Sequence, residues 1–262
     1  MTLFTTEQLA FFSGLMGNII SFLVFLAPVP TFYTIYKKKS SDGFQSLPYI
    51  VALFSASLLL YYAFLKKNAY MIVSINGIGC VIELVYLTIF LIYASRKARM
   101  FTLKVILASN VGAPGLIVLI TLLFIKTNAM RVTFVGWTCA IINLAVFAAP
   151  LSIMKQVITT KSVEFMPFSL SFFLTLCATA WFFYGLFVKD MYIAVPNVMG
   201  FIFGIAQMIL YIIYKNAKPA DNMIKIMSLE QDEEKAVVDQ KQPIPAPTNN
   251  VELKSIIVLP TN

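Results

Sequence analysis

Histidine is absent from this chain, and charged residues make up only 12% of its 262 positions. Without histidine there is no imidazole to act as a general base near neutral pH or as a nitrogen ligand for a metal. The three cysteines, Cys80, Cys139 and Cys177, sit inside long apolar runs with no metal-like spacing, and read as free thiols. Carboxylates are scarce where chemistry would need them, since Glu83 is the one acidic residue deep inside an apolar run. No Gly-rich phosphate loop, ATP-binding motif, serine triad or metal-ligand cluster can be assembled, and catalysis needs convergent groups of that kind. The chain reads as non-enzymatic, without cofactor or metal.

What the chain has in excess is apolar surface. Hydrophobic residues reach 59%, well above a soluble domain. A bilayer core takes about 20 apolar residues per helix. Runs of that length at 9–36, 46–65, 70–94, 102–125, 132–154, 167–188 and 191–214 predict seven spans and an all-α membrane protein. The opening MTLFTTEQLAFFSG lacks the basic n-region of a secretory signal, so the first run is expected to stay as a span. Residues 217–262, with their SLEQDEEKAVVDQKQPIPAPTNN composition, cannot bury a core and are expected to form a disordered cytosolic tail.

Lysine and arginine divide unequally between the two sides of such a bundle. One side receives twelve (Lys37, Lys38, Lys39, Arg96, Lys97, Arg99, Lys104, Lys155, Lys161, Lys215, Lys218, Lys225) and the other five (Lys66, Lys67, Lys126, Arg131, Lys189). The positive-inside rule makes the first side cytosolic. The N-terminus is then outside and the C-terminus inside. The basic balance is spent on this bias, which argues against nucleic acid as a partner.

The strongest signal is internal. Residues 24–40, VFLAPVPTFYTIYKKKS, return as VFAAPLSIMKQVITTKS at 146–162, an offset of 122. In that register Ser21 meets Asn143, Ser55 meets Cys177, Leu59 meets Trp181 and Tyr62 meets Tyr184; at offset 121, Asn76 meets Asn197, Gly79 meets Gly200 and Tyr93 meets Tyr214. Spans one to three therefore equal spans five to seven, and span four has no copy. Three spans reverse direction, so one unpaired span lets the second triplet insert with the same orientation. The division is a first repeat at 1–95, a linker helix at 96–128, a second repeat at 129–216 and the tail at 217–262.

The proline turn ending the first span of each triplet, the loops KSSDGFQSLPY and KSVEFMPF, the paired asparagines and WFFYG resemble the SWEET family of sugar facilitators over about residues 8–215. Parallel repeats about an axis along the membrane normal are an arrangement for which that family is itself an established example. The resemblance implies a 3+1+3 helical fold, transport of sugar, a homo-oligomer in the bilayer and residence in the plasma membrane.

An asparagine near the bilayer midplane generally faces the interior. Asn76 and Asn197, at equivalent places, are expected to meet across the axis, where amide donors and acceptors suit sugar hydroxyls. From composition alone they serve equally as glue between helices. Trp181, near mid-span, offers a ring for the apolar face of a sugar, whereas Trp137, near a span end, fits the interfacial belt. The resemblance adds Ser21, Val24, Ser55, Leu59, Asn143, Val146 and Cys177 to the pocket. It departs from the family at Leu59, where many relatives carry a second tryptophan, and at Cys177 and Asn143, where serine is common. It also implies a hinge set of Pro28, Pro48, Pro150 and Pro167 at cytosolic span ends, and a gate containing Tyr62 and Asp190.

The function this implies is a bidirectional sugar uniporter working by alternating access, with sucrose as the substrate and hexoses as runner-up. Two rivals stand beside it: a seven-helix receptor, against which the duplication speaks, and a proton-coupled transporter relying on Glu83.

Overall fold

The computed structural model describes residues 4–146, 148–164, 166 and 168–216. The predicted tail and Pro167 of the hinge set lie outside the described residues. All regular structure among them is helical: α1 (Thr6–Leu26), α2 (Val29–Lys38), α3 (Leu47–Leu65), α4 (Tyr70–Tyr93), α5 (Arg96–Ile106), a π-helical turn at Leu107–Gly112, α6 (Ala113–Leu123), α7 (Asn128–Val146), α8 (Ala148–Thr160), α9 (Phe168–Phe187) and α10 (Met191–Tyr214). They make seven helices long and apolar enough to cross a membrane, namely Thr6–Lys38, Leu47–Leu65, Tyr70–Tyr93, Arg96–Leu123, Asn128–Thr160, Phe168–Phe187 and Met191–Tyr214.

The first helix starts at a capping box. Thr5 Oγ1 accepts from the Gln8 N–H and the Thr5 N–H donates to Gln8 Oε1, which satisfies two of the donors a helix start leaves open. The first and fifth spans run a few residues beyond their apolar runs at both ends, and each passes through a proline into a second helix. Pro28 has no N–H for Val24 O, and the Ala27 N–H takes that carbonyl at 3.1 Å. The chain then resumes as α2 instead of stopping. Pro28 and Pro150 thus lie within their spans, α1–α2 and α7–α8, not at the span ends as expected from sequence. Pro48 does sit at an end, in the first turn of α3.

Helices pack as a ring. α4 lies between α1 and α3, α10 lies between α7 and α9, and the triplets touch along two seams, α1 on α9 and α3 on α7. Lipid tails are as apolar as leucine, so such contacts depend on close backbone approach. A Cβ at Gly14 would stand 2.8 Å from Met71 Cγ, and one at Gly136 would stand 2.6 Å from Tyr192 Cδ2. Gly14 and Gly136 are repeat mates, and so are Met71 and Tyr192.

Other details recur in the same register. Lys39 and Lys161 end α2 and α8 with φ of 55° and 57°. A left-handed residue other than glycine costs roughly 1–2 kcal/mol. Both are tied down, since Lys39 Nζ donates to Tyr93 OH at 3.2 Å and Lys161 Nζ donates to Tyr214 OH at 3.1 Å.

The fourth span packs along α3 and touches α7 near its far end. Three polar contacts pin it to the second span: Ser46 Oγ with Thr102 Oγ1 at 2.7 Å, Asn110 Nδ2 to Ile50 O at 3.2 Å, and Tyr61 OH with Thr121 Oγ1 at 2.6 Å. The π turn has a local cause in Pro114, which cannot donate to the carbonyl four residues back and would clash with it.

A candidate transport path between the two triplets

The two seams carry the polar residues read from the sequence. On the α1/α9 seam, Ser21 Oγ and Cys177 Sγ share a hydrogen bond at 3.1 Å, and Trp181 Nε1 donates to Ser21 Oγ at 3.0 Å. On the α3/α7 seam, Ser55 Oγ donates to Asn143 Oδ1 at 2.8 Å. Since Ser21 pairs with Asn143 and Ser55 with Cys177 in the repeat register, the second bridge is the image of the first. Leu59 and Trp181 are both half-buried and join the same core. Val24 is half-buried and Val146 is exposed.

Asn76 is buried and Asn197 half-buried, one in each triplet. Their amides do not bond each other. Asn76 Nδ2 donates to Ile72 O at 2.9 Å and Asn197 Nδ2 to Ile193 O at 2.7 Å, each back to its own helix. Each side chain holds its place in this way while keeping Oδ1 for another donor. Trp137 is 58% exposed and meets Tyr192 edge-on.

Toward the end marked by Lys66 and Lys189, the triplets share a single core. Leu58, Tyr62, Ala63, Ala69 and Ile72 pack with Val135, Cys139, Tyr184 and Ile193. A polar clasp closes it: Tyr62 OH donates to Asp190 Oδ2 at 2.9 Å, Lys66 Nζ forms an ion pair with the same oxygen, and Asp190 Oδ1 accepts the Tyr192 N–H at 3.1 Å. Asp190 is only 2% exposed and Tyr62 1%. A buried carboxylate is tolerable only when paired and hydrogen-bonded, and this one has both. Tyr62 and Asp190 are thus brought together as expected. Lys66 is the member the sequence reading missed, because nothing local links two positions 124 residues apart.

The opposite end differs. Phe32, Ile35, Tyr86, Phe90 and Ala94 form one core from the first triplet, with Phe32 stacked on Tyr86 at 4.3 Å. Met154, Val157 and Met166 form another from the second. Among the described residues, no core at this end takes buried residues from both triplets. α2 packs on α4, and α8 packs on α10 and α7.

Glu83 lies on α4 and is 4% exposed, with Oε2 accepting no hydrogen bond. Its repeat mate is Gly204, where a Cβ would fall 2.0 Å from Thr175 Oγ1. In the second triplet, then, Thr175 occupies the room that a side chain at 204 would need. A second feature missed from sequence is Pro196 inside α10, beside Asn197. Its mate, Ile75, leaves α4 without a proline at that place. The described residues contain no group of three or more acidic, cysteine or histidine side chains that could hold a metal.

Comparison with known proteins follows the same duplication. Residues 11–98 and residues 133–219 each match the family described as sugar efflux transporter for intercellular exchange. The bidirectional sugar transporter NEC1 of Petunia hybrida is 64% identical over 82% of this chain and 81% of its own length. The bidirectional sugar transporter SWEET9 of Arabidopsis thaliana is 58% identical over 82% of this chain and 83% of its own. A solved structure described as a eukaryotic SWEET transporter at 3.7 Å resolution superposes with a TM-score of 0.75 at 36% identity, covering 80% of this chain and 98% of that one. These likenesses decide against the receptor reading, and with the duplicated seams they establish that the chain belongs to the SWEET family, a family of sugar transporters and not of enzymes.

Proposed function

We propose that this protein is a bidirectional sugar uniporter working by alternating access, with sucrose as its main substrate and hexoses as runner-up. The observation that carries the reading is the pair of repeat-related polar bridges, Ser21 with Cys177 and Trp181 on one seam and Ser55 with Asn143 on the other. They put hydroxyl, amide and thiol groups on both sides of a path whose two ends are built differently. In this reading residues 1–95 and 129–216 are the two moving bodies, and 96–128 is the linker.

The sugar sits between Asn76, Asn197 and Trp181. The asparagine oxygens accept from its hydroxyls and the indole covers its apolar face. Ser21, Val24, Ser55, Leu59, Asn143, Val146 and Cys177 line the remainder. Small side chains at 24, 55, 146 and 177, with leucine at 59, leave room for a disaccharide. The Tyr62–Asp190–Lys66 clasp is the extracellular gate in its closed form, and the separate cores at the other end belong to the inward-facing state. The triplets rock about Pro28, Pro48, Pro150 and Pro167, closing α2 and α8 together as the clasp opens. The protein lies in the plasma membrane as a homo-oligomer, with its N-terminus outside and C-terminus in the cytosol.

Radiolabelled sugar flux in cells lacking their own carriers tests this. Preloaded cells should lose sucrose as readily as empty cells gain it, and a protonophore should leave both steady states unchanged. The buried carboxyl of Glu83, with its unpartnered oxygen, keeps one rival in view. Uphill accumulation that collapses with the proton gradient would replace the uniporter by a proton-coupled carrier.

A further inference from the structure

The indole of Trp181 rests on the backbone of α1 at Gly17. A Cβ built on Gly17 would stand 2.9 Å from Cε2, 3.0 Å from Nε1 and 3.2 Å from Cδ2 of the ring. The contacted atoms belong to the rigid bicycle, not to the far end of a flexible chain, so the ring lies where it does because position 17 has no side chain. One turn further along α1, Ser21 Oγ accepts from Nε1 at 3.0 Å and fixes the ring's rotation. Tyr184 meets its edge at 5.4 Å between centroids.

The other seam exchanges these volumes. The repeat mates of Gly17 and Trp181 are Cys139 and Leu59. Where the first seam has an empty seat and a large ring, the second has a buried thiol and a smaller apolar chain.

We propose that Gly17 is a specificity-determining positioning residue: its missing side chain lets the Trp181 ring lie back against α1, and the gap this leaves toward Leu59 sets whether a disaccharide or only a single hexose fits. This rests on the reading of Trp181 as the platform for sugar. Gly17 touches no sugar itself and acts through the ring. A methyl group there stands closer to the ring than a Cβ can, so the indole must move off α1, which stretches its bond to Ser21 and narrows the room on the ring's other side. A hexose has slack for that shift and a disaccharide has none.

The test compares labelled sucrose and glucose uptake, normalised to surface protein, in Gly17→Ala, Trp181→Phe, Trp181→Ala, Leu59→Ala and the Gly17→Ala/Trp181→Phe pair. Gly17→Ala should lower the sucrose to glucose ratio several-fold, through KM for sucrose more than through maximal rate. In the Trp181→Phe background the ring has no N–H bonded to Ser21 and can turn away from the added methyl, so Gly17→Ala should leave the ratio where Trp181→Phe alone puts it. Equal loss of both sugars in Gly17→Ala, or the same drop in ratio on the phenylalanine background, would overturn the proposal and leave Gly17 as a helix-packing residue. Should Gly17→Ala fail to reach the surface, Leu59→Ala reads the same gap from its far side: the ratio should rise, and an unchanged ratio refutes the idea. Trp181→Ala separates the two levels of inference. If it spares uptake of both sugars, the platform assignment falls, whereas a damaging Trp181→Ala with an unmoved Gly17→Ala ratio removes the seat alone.

Discussion

The α1/α9 and α3/α7 seams occupy equivalent places in the two triplets and reach across them with equivalent residues, yet their chemistry has diverged. One joins a serine to a thiol and an indole N–H; the other joins a serine to an amide. The positions were kept by duplication, while the side chains were free to change, since each seam needs only some bridge that satisfies its polar groups in a medium without water. Asn76 and Asn197 are the same residue in both halves. Trp181 and the Asp190 clasp have no counterpart in the other triplet among the described residues.

The largest effect is expected where the halves agree. Asn76→Ala and Asn197→Ala should each cut uptake by more than tenfold with surface protein unchanged, because a desolvated sugar hydroxyl then lacks its partner. Equal losses support a shared site on the axis. A mutant with full flux in one triplet would show that the repeat symmetry does not extend to binding.

The clasp exists once only, and Lys66→Met tests that asymmetry. It leaves buried Asp190 without its cation, and since Lys66 is itself partly exposed, the cost falls below the roughly 3–5 kcal/mol of a fully buried pair. Uptake should fall several-fold to tenfold. The parallel change Val188→Met, at the repeat mate of Lys66, should do little. Matching losses at the two positions would mean that the end of the bundle, not the ion pair, is sensitive.

A smaller effect is expected at Leu59→Trp, which makes the two seams more alike. Overpacking typically costs about 1–3 kcal/mol, and the sucrose to glucose flux ratio should fall several-fold as the gap narrows. An unchanged ratio in a well-expressed mutant would remove Leu59 from the site. Least sensitive are Lys39→Met and Lys161→Met. Both cations are exposed and bond a tyrosine hydroxyl in solvent, where such contacts contribute little, so uptake should change less than about twofold for either.

Much of this was legible in the sequence. Apolar run length located all seven spans, and the ends of α3, α4, α9 and α10 fell within one residue or so of the predicted ones. The offset of 122 paired Ser21 with Asn143 and Ser55 with Cys177, and the resemblance put all four in the pocket, but which of them bridge across the seams was not readable from it. The extents of the first, fourth and fifth spans were less readable. α5 is the amphipathic, Lys/Arg-bearing opening stretch of the fourth span, and hydropathy discounts its charges. The apolar runs passed Pro28 and Pro150, but gave no sign that each span divides there into two helices. Lys66 escaped because its partner lies across the bundle, and Gly17 because an absent side chain gives no chemical signal until the ring above it is in view.

The fourth span has a consequence for how the protein is made. Its three contacts to the second span join residues that leave the ribosome within 60 residues of one another. Spans one to four can therefore settle as a unit before the fifth has entered the bilayer. The link at Ile125–Thr127 is then a natural place to sever the gene. Co-expression of residues 1–125 and 126–262 should rebuild a working carrier from two translation products, whereas a break between the third and fourth spans would leave the uncopied helix on the wrong piece.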